Sequence, residues 1–109
     1  MEELVVRLIG ECHLQEAVAM STLDSGMHVF AYPLPDHRTL LALGVGPDAA
    51  VTAEELLARR AAQLPSAGRW LPAMFNDGSL YLVRRLEADE EEGGELLAAQ
   101  LELALDMLN

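Results

Sequence analysis

Two short runs rich in β-branched, methionine and aromatic side chains, Ala17 to Leu23 and Met27 to Tyr32, are separated only by Asp24-Ser25-Gly26. So short a loop leaves no room for a crossover, so the two strands it joins must run antiparallel. Gly26 supplies the positive φ that a tight connection needs. Pro33 and Pro35 end the second run, and Asp36-His37-Arg38 turns the chain into a third, Thr39 to Val45, closed by Gly44, Gly46 and Pro47. Three successive strands with no helix between them disfavour a parallel, doubly wound fold. They predict an antiparallel sheet with helices packed against it.

The remaining segments supply those helices. Over residues 2–13, Leu4, Val5, Leu8, Ile9 and Cys12 form one helical stripe, with Glu3, Arg7 and Glu11 on the other side. Thr52 and Glu55 form a capping box flanked by Val51 and Leu56 as a hydrophobic staple, which starts a second helix that stops at Pro65. Residues 66–75, with the only tryptophan at Trp70, read as a helical turn. Asn76-Asp77-Gly78 is a turn signal leading into a strand over 79–86, where Leu80, Leu82 and Arg84 alternate with Tyr81, Val83 and Arg85. An acidic stretch and Gly93-Gly94 break the chain before a last helix, 95–108. Its polar strip, Glu95, Ala99, Glu102, Asp106 and Asn109, is narrow, so this helix is expected to be sunk between layers or to touch something beyond its own sheet. The expected fold is a single α+β domain over 1–109, a sandwich of order α-β-β-β-α-β-α with four to five antiparallel strands and three helices.

Charge narrows the function classes. Eighteen acidic against seven basic residues give a formal net charge of -11, a field that repels nucleic acid and anionic lipid and favours a basic or poorly soluble partner. No run approaches the length of a membrane span, so no membrane insertion is expected. Met-Glu-Glu at the start carries no basic region followed by an apolar one, so no signal peptide is expected. A lone cysteine, Cys12, fits a reducing, cytoplasmic compartment.

Chemistry-bearing patterns are few. Cys12 and His13 point about 100° apart on a helix and share no ion easily, and no metal-ligand spacing links them to His28, Asp36 or His37. Cys12 sits on an apolar stripe, where a thiol behaves as a small hydrophobe. Gly44-Val45-Gly46-Pro47 has no fitting basic residue near it, and the chain has no lysine. The acidic run Asp89 to Glu92 reads as a solvated loop. No enzyme, no metal and no cofactor are therefore expected, whereas the excess of apolar faces, with Met20, Met27, Met74 and Met107 among them, points to surface buried against another chain.

In this order the elements resemble the class I type III secretion chaperones (the Tir-chaperone family). The likeness is closest over 76–108, where Asn-Asp-Gly-Ser-Leu-Tyr-Leu-Val-Arg-Arg-Leu, an acidic loop and a Leu-rich helix are similar to that family's strand and C-terminal helix. Thr39 to Gly46, followed by the helix capped at Thr52, is similar to its third strand and second helix. The resemblance implies a homodimer in the bacterial cytoplasm, part of virulence-associated secretion. It would bind the non-globular N-terminal segment of a secreted effector or gatekeeper protein and keep it soluble and secretion-competent. It also implies a client patch drawn from Leu4, Val5, Leu8, Met20, Met27, Val29 and Leu41, and a dimer contact drawn from Leu57, Leu64, Trp70 and Leu71. The alternative is an assembly subunit that forms a hetero-oligomer and delivers no client.

Overall fold

The computed structural model describes residues 1–109. Along the chain lie α1 (Glu2–Gln15), β1 (Ala19–Thr22), β2 (His28–Pro33), β3 (Thr39–Val45), α2 (Ala53–Ala62), α3 (Leu64–Ala67), β4 (Leu71–Met74), β5 (Leu80–Arg85), α4 (Ala88–Glu91) and α5 (Glu95–Leu108). The strands form one sheet in the order β1-β2-β3-β5-β4, with every neighbouring pair antiparallel. The α+β class is as expected. Two four-residue helices, α3 and α4, raise the helix count from three to five.

Register sorts the strand residues into two faces. Ala31 pairs with Leu41 and Leu41 with Arg84; Val29 pairs with Leu43 and Leu43 with Leu82. Because side chains alternate along a strand, these residues share one face, and it is the face the helices cover. Val5, Leu8, Ile9 and Cys12 of α1 join Leu97, Leu101, Ala104, Met107 and Leu108 of α5 in one core cluster with Val29, Ala31, Leu41, Leu43, Leu80 and Leu82.

The helices hold their places by local chemistry. Thr52 accepts from the Glu55 backbone N–H at 3.2 Å, so one half of the expected capping box forms, while the Glu55 carboxylate accepts from the Thr52 hydroxyl at 3.1 Å; Val51 and Leu56, the expected staple, are both buried. Arg59 Nη1 donates to the carbonyls of Met107 and Asn109, at 3.0 and 2.8 Å, placing positive charge on the otherwise unsatisfied end of α5. The polar strip of α5 is exposed, while its broad apolar arc, Leu96 excepted, packs among α1, α2, α3, α4 and β3. That helix is sunk into its own layer.

Two expectations fail. Residues 71–74 are a strand and not part of a helical turn: Asn76-Asp77-Gly78 is the loop of a hairpin, closed by Phe75 N–H to Ser79 O at 2.9 Å, and β5 needs a partner on that side. The acidic run is likewise more than a solvated loop. Glu87 and Glu90 form a capping box that starts α4, and Glu90 is buried against Arg84. Arg84 Nη2 donates to both Glu90 carboxylate oxygens, at 2.5 and 2.6 Å. Its Nη1 donates to Gln100 Oε1 at 2.7 Å, which also accepts from Trp70 Nε1 at 3.2 Å. An arginine on the inward row of β5 requires such a partner, because an unpaired buried charge is costly.

Candidate functional site

The second face of the sheet has no helix over it. Its rows are Met20, Phe30, Ala42, Val83 and Leu71 across one register line, and His28, Gly44, Tyr81 and Ala73 across the next. A third line holds Tyr32, Leu40 and Arg85. None of these residues belongs to the core cluster or packs against it. Met20 is 57% exposed, Leu71 58% and Tyr32 52%, values an apolar row reaches only where nothing is stacked on it.

At the middle of this face lies a wholly apolar trough of about 260 Å³, lined by Val18, Phe30, Tyr32, Leu40, Ala42, Phe75, Tyr81 and Val83. Its shape follows from side-chain size. Ala42 on the central strand makes a low floor, and Phe30 and Val83 on the flanking strands make walls. At Gly44 the absence of a side chain lets the Tyr81 ring lie flat across the central strand, where a Cβ would overlap it. Phe75 stacks on Tyr81 with ring centroids 4.5 Å apart, and Phe30 tilts against the same ring at 5.6 Å. The aromatic stack closes one end of the trough. The ion pair of Arg85 with Asp36 stands at the opposite end.

The two sheet edges differ. Phe75 bonds to Ser79, so the hydrogen-bonded pairs of this hairpin fall at Phe75, Ala73 and Leu71, and the outward backbone positions of β4 are Pro72 and Met74. Pro72 has no N–H to offer, which blunts this edge. Leu23 N–H bonds to Met27 O, so by the same count β1 turns the N–H and C=O groups of Met20 and Thr22 outward. That edge is open to another strand.

Of the residues expected in a client patch, Met20 is exposed on the open face and Leu4 is half-buried on α1. Val5, Leu8, Met27, Val29 and Leu41 are buried in the core, because they lie on the side where helices and sheet meet. They are not surface residues, and the face beside them carries Phe30, Tyr32, Leu40 and Ala42 instead. Of the expected dimer contacts, Leu57, Leu64 and Leu71 are half exposed. Trp70 is fully buried, its ring 5.7 Å from the Arg84 guanidinium, and is removed from that set. Leu57 borders a second apolar groove of about 190 Å³ between α2 and β4, lined also by Leu56, Pro72 and Met74.

Titratable chemistry is sparse. Burial, then the nearby Glu91 carboxylate, pushes the Cys12 thiol up from its ordinary value, and Cys12 Sγ donates to Ile9 O at 3.2 Å. Burial, then Asp77, pushes the Tyr81 phenol up. Hydrogen bonds from the Ser79 hydroxyl and backbone hold Asp77 below the ordinary carboxylate range. No three His, Cys, Asp or Glu side chains converge on a point where a metal ion would sit. No helix is long and apolar enough to cross a membrane. Compared with known proteins, the chain matches no family model, no curated protein and no solved structure.

Proposed function

We propose that this protein holds a non-globular segment near the N-terminus of a secreted effector or gatekeeper protein, and keeps that segment soluble and secretion-competent. It acts as a homodimer in the bacterial cytoplasm and carries out no catalysis. The observation that carries the reading is the uncovered apolar face of the sheet. Antiparallel sheets with one face in water ordinarily alternate apolar and polar residues, and contiguous exposed apolar surface marks an interaction site. The free edge at Met20 and Thr22 supports the same reading, since an extended client segment pairs with an open strand through its backbone. The net charge of -11 keeps such a surface soluble while it waits for a client. The groove between α2 and the blunted β4 edge, lined by Leu57, is with the half-exposed Leu64 and Leu71 the proposed contact between two copies.

The test is affinity capture of the tagged protein from lysate of its own source, run beside a Tyr32→Asp variant. One dominant partner is expected, held through a stretch near its N-terminus at two copies of this chain per client, and lost in the variant. A partner bound one-to-one through a folded domain would replace the reading with that of an assembly subunit in a hetero-oligomer.

A further inference from the structure

We infer that the part of the partner seated in the central trough is an amphipathic α-helix with basic flanks, aligned along β3. This rests on the proposed function and specifies what lies on the open face, as distinct from the β1 edge.

The backbone decides the conformation of the occupant. The strands under the trough, β2, β3 and β5, spend their hydrogen-bonding groups on one another. An extended segment laid across Phe30, Ala42 and Val83 would press its own N–H and C=O groups against an apolar floor with no partners, and each such group is costly to bury. A helix satisfies its backbone internally and presents side chains alone. The dimensions agree. The walls rise from strands two spacings apart, about 10 Å between backbones, so one row of side chains from a helix enters between Phe30 and Val83 while the helix itself rides above them. From Leu40 to Ala42, before the Tyr81 ring covers the strand at Gly44, the floor runs about 7 Å, somewhat over one helical turn of about 5.4 Å.

Area and charge argue against a second copy as the occupant. Strands of 4, 6, 7, 4 and 6 residues at about 3.3 Å per residue, spaced about 4.8 Å apart, give a face of about 430 Å². A stable protein–protein interface buries about 800 Å² on each partner, so two such faces stacked together fall short by half. Two copies would also each bring a net charge of -11. A helix with lysine or arginine beside its apolar stripe meets the opposite situation. The face itself carries one cation, Arg85, already paired with Asp36, and the acidic side chain of Asp77 stands beyond the aromatic stack within electrostatic reach of His28.

Two synthetic peptides of identical leucine and lysine content test this. One places leucine at helical spacing, i, i+3, i+4 and i+7; the other alternates leucine and lysine and so favours an extended chain. Each is labelled and titrated with the full-length protein at physiological ionic strength, followed by fluorescence anisotropy and circular dichroism. The helical isomer is expected to bind at least tenfold more tightly and to gain helicity on binding. Ala42→Glu and, as a second variant on the exposed rim, Tyr32→Lys should each weaken it at least tenfold, while Leu14→Glu, on the exposed side of α1, should leave it unchanged. Equal or tighter binding of the alternating isomer overturns the inference and leaves the chaperone reading standing. Binding that persists in both trough variants overturns it, as does binding of neither isomer, and the capture experiment then still decides the broader reading. Self-association of the wild-type chain that disappears in Ala42→Glu would assign the face to a second copy and overturn it too.

Discussion

The two faces of the sheet are built from the same kinds of residue and meet opposite fates. On β3, Leu41 and Leu43 turn inward and are wholly buried, whereas Leu40 and Ala42 turn outward and are partly exposed. Composition does not separate them; the helices do. All the packing partners, from Val5 on α1 to Met107 on α5, lie on one side. A strand that is apolar on both faces ordinarily sits between two layers, and here no element of residues 1–109 forms the second layer. That absence supports a partner on the open face better than any single side chain does. It also makes the two faces separable by mutation.

Charge placed on each row of β3 should give the largest difference. Leu41→Asp buries a carboxylate without a partner in the densest part of the core, and its expected outcome is a chain that does not fold. Leu40→Asp, one residue away, puts the same charge where water reaches it and should leave the far-ultraviolet circular dichroism and the melting transition nearly unchanged. If both variants unfold, the open face is structural and the distinction between the faces fails.

Two consecutive arginines on β5 sharpen the comparison. Arg84 points inward, with its ion pair to Glu90 almost wholly buried; Arg85 points outward, and its pair with Asp36 is about half exposed. Arg84→Ala strands the Glu90 carboxylate and should cost about 3–5 kcal/mol in urea denaturation. Arg85→Ala removes a solvated pair and should cost about 0–1 kcal/mol. The double variant Arg84→Met, Glu90→Leu should recover most of the loss, since apolar residues often replace a buried pair without penalty.

Glycine substitutions probe how the trough is shaped. A Cβ at Gly44 overlaps the Tyr81 ring, whereas one at Gly46 meets nothing within 4 Å. Gly44→Ala should cost about 1–3 kcal/mol, the usual range for overpacking, and should shift the ring protons of Phe75 and Tyr81 as their stack opens. Gly46→Ala should stay within about 0.5 kcal/mol of the parent, as is usual for surface changes.

What was legible in the sequence was what is local. The loop Asp24-Ser25-Gly26, the cap at Thr52 and the polar strip of the last helix all depend on residues a few positions apart, and each appears where the spacing puts it. Strand β4 was missed because Leu71-Pro72-Ala73-Met74 is short and holds a proline, which demotes a strand unless its outward edge is free. The Asn76-Asp77-Gly78 signal already marked a hairpin, and a hairpin needs a strand on both sides. The candidate site was legible only as an excess of apolar residues. Alternation separates Leu40 from Leu41 but does not say which row the helices choose, and so the expected client patch took in Val29 and Leu41 from the wrong row. Arg84 sat in register with Leu80 and Leu82, a sign of burial readable before its partner Glu90 was known.

The smallest effect, and the one that divides most cleanly between the faces, is the pH dependence of stability. Cys12 lies under the helices and Tyr81 under the Phe75 ring, and burial raises both acids above their ordinary values of 9.0 and 10.0. For a group whose pKa is raised on folding, the folded state holds the proton where the unfolded chain has released it. The stabilisation is therefore complete below the ordinary value and is lost as pH rises toward and through the folded one. Stability in urea should fall from pH 9 upward. Cys12→Val should remove the lower part of that fall, and Phe75→Ala, which uncovers Tyr81, should flatten the upper part without changing the Cys12 contribution. Asp77 has the opposite sign, since its folded pKa is lowered, and its share is lost as pH falls below the ordinary value of 3.8. A partner seated in the trough adds a further layer over Tyr81 but not over Cys12, which raises the folded pKa of the phenol again. Bound protein should therefore lose more stability, out to higher pH, and only in the part of the fall that Phe75→Ala had flattened.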